Sequence, residues 1–421
     1  MRMSLWAVVL WGLVGCTDRQ LTNPLDADAD RSENTLQTLE SLAGDGEVVL
    51  RWDYTHFADI TGYRLYRRRE GGDFAPYPSA APLDAAMSEF VDREVDNQTT
   101  YEYQLALLVA NEDERLVEPT ERATPGPASG WVADRSTGVV RKISPDGRSA
   151  QFGQGRFPGL VDIAVHRSSG AVWVGDRFFA GLFRILPGGD LEEYSLEIGE
   201  VGSLSIGPGG DICWVIDREA GQVLWFDLAA GADSLSLAAV DAHFVEVTSL
   251  AGVGNYCWIS DSQAGRVLRY NLPGNVDPGA LGARVEFGGL ERPGKVATGR
   301  LETAWVVVAG GAGLVQLAVG GSAVGVSLPF ADVVDLAVDR RTGFCWVLGG
   351  SDLAAVDEEG RLLLHITEVP GGQSLAVDEI HQRIWVTTQN SLWKFTMEGA
   401  TLARLQGFSA PFRVAVDPGA L

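Results

Sequence analysis

The sequence predicts an all-β protein with two folded parts, and three observations carry that prediction. Residues 35–125 alternate apolar and polar side chains with a period of two, in short runs broken by turn residues. From Trp131 onward one Trp-led unit recurs seven times. The composition agrees: 421 residues, 46% hydrophobic, with 51 Gly and 18 Pro, suit a large buried core and many turns, and exclude disorder, collagen and a coiled coil.

The chain opens MRMSLWAVVLWGLVGC. Arg2 supplies a short positive region, and the apolar run Leu5–Val14 is too short to cross a bilayer, which takes about 20 residues. It fits the apolar core of a secretory signal. The run ends Leu13-Val14-Gly15-Cys16, which resembles a bacterial lipobox. That resemblance implies removal of residues 1–15, lipidation of Cys16, and attachment to the cell envelope by lipid alone, at the inner or the outer membrane. Residues 16–34 are polar and acidic and read as a flexible tether. Asp26, Asp28 and Asp30 have the spacing of a calcium loop, but Arg31 stands where its glycine belongs and Gln37 where its closing glutamate belongs, so the segment is read as a solvated linker.

Within residues 35–125, strands are expected at Glu47–Asp53, Tyr63–Arg69 and Thr99–Val109, and about seven short strands make a sandwich. Trp52 followed by ITGYRLY, and Val95 followed by NQTTYEY, resemble a fibronectin type III domain. The resemblance implies a spacer or protein-binding module, with Tyr101 as the corner tyrosine whose hydroxyl bonds backbone a few residues upstream. Ala123-Thr124-Pro125-Gly126-Pro127 reads as a linker.

Residues 129–421 carry the repeat. WVADRSTGVVRKISPDG starts at Trp131, and its counterparts start at Trp173, Trp214, Trp258, Trp305, Trp346 and Trp385. The intervals are 42, 41, 44, 47, 41 and 39 residues, and seven of the twelve tryptophans share this phase. Four short strands in about 40–45 residues is the period of a β-propeller blade. The first unit lacks an innermost strand, and PFRVAVDPGAL (residues 411–421) is an innermost strand without a Trp strand after it. The expectation is therefore a seven-bladed propeller closed by pairing those two fragments, which removes a sheet edge. The Asp-x-x-x-Gly-x-Val/Leu-x-Arg/Tyr style of the units resembles NHL-type propellers, a group that includes lactone hydrolases, virginiamycin B lyase and many non-catalytic binding proteins.

Three sets of residues are candidates for chemistry. The opening positions of the seven innermost strands are Asp162, Ser203, Ser249, Lys295, Asp335, Ser374 and Arg413, all polar in otherwise apolar strands. They are expected to ring the channel mouth and to be the ligand-binding set. A second set, three residues after the Trp, is Asp134, Asp176, Asp217 and Asp261, read as carboxylates that bond their own tight turns. A third is His243 with Glu246, the one histidine placed in a loop on the binding face, considered as an acid–base pair. Cys213, Cys257 and Cys345 each precede a Trp and read as small buried apolar residues rather than disulfide partners.

The net charge of −23, from 33 basic and 56 acidic residues, repels phosphate backbones, so no nucleic-acid partner is expected. No Gly-x-Ser-x-Gly elbow and no phosphate loop occur. No cofactor or metal is expected. The lactonase resemblance implies calcium at the mouth, but the two cations in that ring oppose it. The function that emerges is a lipid-anchored envelope binding or scaffold protein, non-catalytic, whose propeller face meets an envelope protein, a glycan or a small ligand. The alternative is an envelope hydrolase or lyase of the lactonase and streptogramin lyase group.

Overall fold

The structure is a computed structural model that describes residues 39–417, apart from 45, 53–59, 80, 98, 111–113, 118–119, 127–128, 145–146, 148, 208–210, 229–234, 236, 241, 273–283, 301–302 and 319. The signal, Cys16, the tether and His56 lie outside the described residues.

The first part holds two antiparallel sheets. Glu40–Ala43, Val48–Arg51 and Glu89–Asp92 form one. The other is built on the long pair Ile60–Arg69 and Tyr101–Val109, flanked by four short strands. Leu39, Val48, Leu50, Trp52, Tyr63, Leu65, Tyr103 and Leu105 fill the space between, and the Trp52 and Tyr63 rings meet edge-on at 5.4 Å. The Tyr101 hydroxyl accepts the Asp96 N–H at 3.0 Å, five residues upstream. One charge enters this core. Asp92 is fully buried and accepts from Tyr77 at 2.7 Å, Tyr103 at 2.8 Å and Arg67 at 2.7 Å, which supplies the pairing a buried carboxylate needs. Burial, with the Asp92 charge adding to it, pushes both phenols above their ordinary range.

The second part is a β-propeller of seven four-stranded antiparallel sheets among the described residues. In each, the Trp strand lies second from the inside, and each repeat Trp is at most 1% exposed. These strands are flanked by strands within the sheet and covered by neighbouring sheets on both faces. They are accordingly buried along their whole length rather than alternately, as in Ile212–Asp217. The indoles pack between sheets: Trp173 meets Phe226 of the next sheet at 5.5 Å, and Trp214 meets Tyr270 at 6.3 Å. Small residues receive them. A Cβ on Gly130 would fall 2.4 Å from Trp385, and one on Gly252 2.6 Å from Trp214. Cys213, Cys257 and Cys345 are completely buried, and burial pushes their thiols well up.

The first sheet joins distant parts of the chain. Ser129–Asp134 pairs on its inner side with Pro411–Asp417, Trp131 opposite Ala415. The innermost strands of successive sheets are neighbours, and Pro411–Asp417 neighbours both Ser374–Asp378 and Leu160–His166. No sheet among the described strands closes on itself. The repeat is weakest in two places. The innermost strand of the fifth sheet is only Val296–Thr298, and the outermost strand of the third only Ala238–Ala239.

Candidate functional site

An innermost strand leaves one edge unpaired, and its N–H groups need acceptors. The polar residues at the opening positions provide them. Asp162 accepts from the Ser203 hydroxyl and from Leu204 N–H at 3.3 Å, one sheet on. Ser249 Oγ accepts Val296 N–H at 3.2 Å. Asp335 accepts from the Ser374 hydroxyl at 2.9 Å and Leu375 N–H at 3.1 Å, and Ser374 Oγ in turn accepts Val414 N–H at 3.4 Å. Two more seams are bridged by charge: Arg413 Nε lies 3.0 Å from Asp162 Oδ1, and Lys295 Nζ 3.6 Å from Asp335 Oδ1. The remaining seam is joined two residues deeper, where Ser205 Oγ accepts Gly252 N–H at 3.0 Å.

Arg413 also reaches to 3.9 Å from Asp335, so the four charged residues form one lattice. The carboxylates are nearly buried, the Asp162 and Asp335 side chains at 9% and 11% exposed, while the Lys295 and Arg413 side chains keep 29% and 22%. Burial works to raise the Asp335 carboxyl, but Lys295, Arg413 and its two hydrogen bonds outweigh it and hold the group below the usual carboxylate range. Burial, aided by Arg413, pulls the Lys295 ammonium below its ordinary value despite the attraction of Asp335 and Asp162. Burial opposes the Arg413 charge too, yet Asp162 and Asp335 more than restore it.

The residues that follow these positions line a central cavity of about 300 Å³. Its middle layer is uniformly small: Ala164, Ser205, Ala251, Ala297, Ala337, Ala376 and Ala415. At the mouth the lattice is balanced, two carboxylates against two cations. It can meet ligands of either sign with hydrogen bonds, but its carboxylates are already committed to neighbouring sheets.

The second set does more than hold its own turns. Asp134 accepts Ser409 N–H at 2.8 Å and Ala410 N–H at 3.2 Å, besides its turn partners Ser136 and Thr137. Asp176 accepts Gly159 N–H at 2.7 Å, Asp217 accepts Gly199 N–H at 3.0 Å, and Asp261 accepts Glu246 N–H at 2.9 Å. Each carboxylate thus pins the loop that leads into the innermost strand of its own sheet. Burial works to raise the Asp134 carboxyl, but these N–H bonds hold it low. In the sixth sheet the bond is reversed. Gly349 takes the Asp position, and Asp332 on the incoming loop accepts Gly350 N–H at 2.9 Å. Sequence register alone misses Asp332, because its partner sits on the opposite side of the hairpin. In the seventh, Thr388 bonds Ser391 instead, at 2.7 Å.

The third set is not brought together. His243 and Glu246 are both exposed; the His243 carbonyl accepts from Arg266, Glu246 N–H bonds Asp261, and no bond joins their side chains among the described residues. His166, His365 and His381 each meet a carboxylate, Asp211 at 2.9 Å, Asp352 at 2.7 Å and Asp378 at 3.0 Å. Among the described residues no group of three or more His, Cys, Asp or Glu is placed to hold a metal ion.

The sheets and their central cavity define a β-propeller. Among solved structures the chain is similar to a putative 6-phosphogluconolactonase from Bacteroides uniformis, at 12% identity over 69% of this chain and 99% of that one, TM-score 0.52. It is likewise similar to a functionally unknown protein from Desulfotomaculum acetoxidans, at 15% identity over 69% and 99%, TM-score 0.52. Virginiamycin B lyase from Staphylococcus aureus aligns at 14% identity over 61% and 87%, TM-score 0.49. No protein-family model matches the sequence, and no curated protein matches it. At these identities the similarity speaks for the fold alone.

Proposed function

We propose that this protein is a lipid-anchored component of a bacterial cell envelope that binds rather than transforms its partner. Cys16 carries the lipid, residues 16–34 form the tether, and a fibronectin type III module over 35–125 spaces the propeller of 129–421 from the membrane. The propeller is a closed seven-bladed ring, a reading supported by the pairing of Trp131 with Ala415 in the first sheet. The corner bond of Tyr101 supports the fibronectin reading.

The observation that carries the binding role is the balanced lattice of Asp162, Arg413, Asp335 and Lys295. Its carboxylates are tied to cations and to backbone N–H groups rather than free for proton transfer. The face around it carries two exposed apolar side chains on its loops, Phe178 at 74% and Val245 at 62%. The partner expected there is an envelope protein, a glycan, or a small ligand with both charges.

A photo-crosslinking residue placed at Phe178, in cells, tests this. The reading expects a discrete adduct with an envelope component, and none from the same residue at Leu402 on the outer rim. Equal labelling at both positions rejects the face as the contact surface. For the anchor, Cys16→Ser is expected to move the protein from membranes to the soluble fraction; a variant that stays on membranes rejects lipidation.

A further inference from the structure

The cavity has a second end. Arg167, Arg340 and Glu379 follow the innermost strands of the second, sixth and seventh sheets (Leu160–His166, Val333–Val338 and Ser374–Asp378), and all three line the cavity. They lie on hairpins at the opposite face from the charged mouth. From Asp162 to Arg167 the strand runs five residues, roughly 16 Å at about 3.3 Å per residue.

Glu379 sits between the two arginines. Its Oε1 accepts Arg340 N–H at 3.0 Å and Arg340 Nε at 3.3 Å, and its Oε2 lies 3.5 Å from Arg167 Nη1. The terminal nitrogens of Arg340, and Nε and Nη2 of Arg167, have no partner among the described residues. The nearby Asp339 and Asp378 carboxylates pair with neither guanidinium. Asp339 is turned onto Arg341 N–H and the Thr342 hydroxyl, and Asp378 onto Ile380 and His381 N–H. Two guanidinium groups therefore share the single Glu379 carboxylate at this end of the cavity.

We propose that Arg167 and Arg340 form a subsite for the carboxylate of a small organic acid, with Glu379 holding the two guanidinium groups apart. A guanidinium fork matches the two coplanar oxygens of a carboxylate. The Glu379 carboxylate already spans this pair, which shows that the spacing suits such a group. Behind it, Ala337, Ala376 and Thr298 leave room for a short polar body, and about 300 Å³ restricts the acid to a small one. The subsite is independent of the mouth and of the binding role proposed above.

The test uses the intact protein and malonate as the probe. Arginine modification by phenylglyoxal, mapped by mass spectrometry, should slow severalfold at Arg167 and Arg340 when malonate is present. Exposed Arg69 and Arg122 should be unaffected, and chloride at equal ionic strength should give no protection. Malonate should also raise the midpoint of thermal unfolding, an effect lost in Arg167→Gln and Arg340→Gln and kept in Arg69→Gln, an exposed arginine of the first part. Protection by chloride equal to that by malonate overturns the proposal, as does a thermal shift that persists in both arginine variants. Stronger protection by inorganic phosphate than by malonate overturns the carboxylate assignment. If an arginine variant fails to fold, the protection map on the unaltered protein decides alone.

Discussion

Arg413 Nε stands 3.0 Å from Asp162 Oδ1, so the innermost strand of the first sheet is tied by charge to that of the second. The same guanidinium lies 3.9 Å from Asp335, two sheets away in the other direction. One side chain thus serves two nearly buried carboxylates.

Arg413→Met is expected to destabilise the propeller by about 2–4 kcal/mol, because it strands buried carboxylates with a cation removed. Urea unfolding measures it. A loss below about 0.5 kcal/mol would place the lattice among solvent-screened pairs.

The Asp335 carboxyl is held below its unfolded value, so its ionised form stabilises the fold. That contribution is present above the ordinary aspartate pKa of about 3.9 and is lost as pH falls through the lower folded value. The stability gap between the natural protein and Asp335→Asn should therefore be constant from pH 7 to about 5 and shrink below about 4. A gap that instead shrinks between pH 7 and 5 contradicts the assignment.

Asp134→Ala should free the Ser409 and Ala410 N–H groups, at about 0.5–1.5 kcal/mol for each hydrogen bond lost. Hydrogen exchange at those two amides should accelerate, while the pinned Gly159 amide on Asp176 stays protected. Unchanged exchange at Ser409 would mean that the loop is held by other contacts.

Gly130→Val drives a side chain into Trp385, and overpacking of this kind costs about 1–3 kcal/mol. Leu402→Ala, on an exposed outer strand, should stay within about 0.5 kcal/mol. Chemical denaturation followed by tryptophan fluorescence compares the two. Equal effects would show that the seventh and first sheets are not packed together at Gly130.

The architecture was legible because one bulky residue keeps phase. Each repeat Trp must be buried between sheets, so its spacing marks the sheets and carries the register to every innermost strand. That register brought Asp162, Asp335, Lys295 and Arg413 into one set, and the structure joins them. It did not reveal what each side chain reaches, since Asp162 and Ser249 act on the following sheet rather than on the channel. Asp332 escaped notice because the bond it makes is normally made from the other partner. The group at Arg167, Glu379 and Arg340 was hidden for a different reason. It is assembled across the axis from three hairpins, and no spacing along the chain signals it. His243 and Glu246 are the converse, two reactive side chains close in sequence that are both exposed and joined by no bond among the described residues.

The first sheet draws its central strand from Ser129–Asp134 and its inner strand from Pro411–Asp417. A nascent chain emerging from the ribosome must therefore hold the first sheet half-built through the synthesis of nearly the whole propeller. Premature termination anywhere before residue 411 yields a product in which the inner edge of Ser129–Asp134 has no partner strand, a ready handle for proteases and chaperones. Only a chain that reaches Asp417 can hide it.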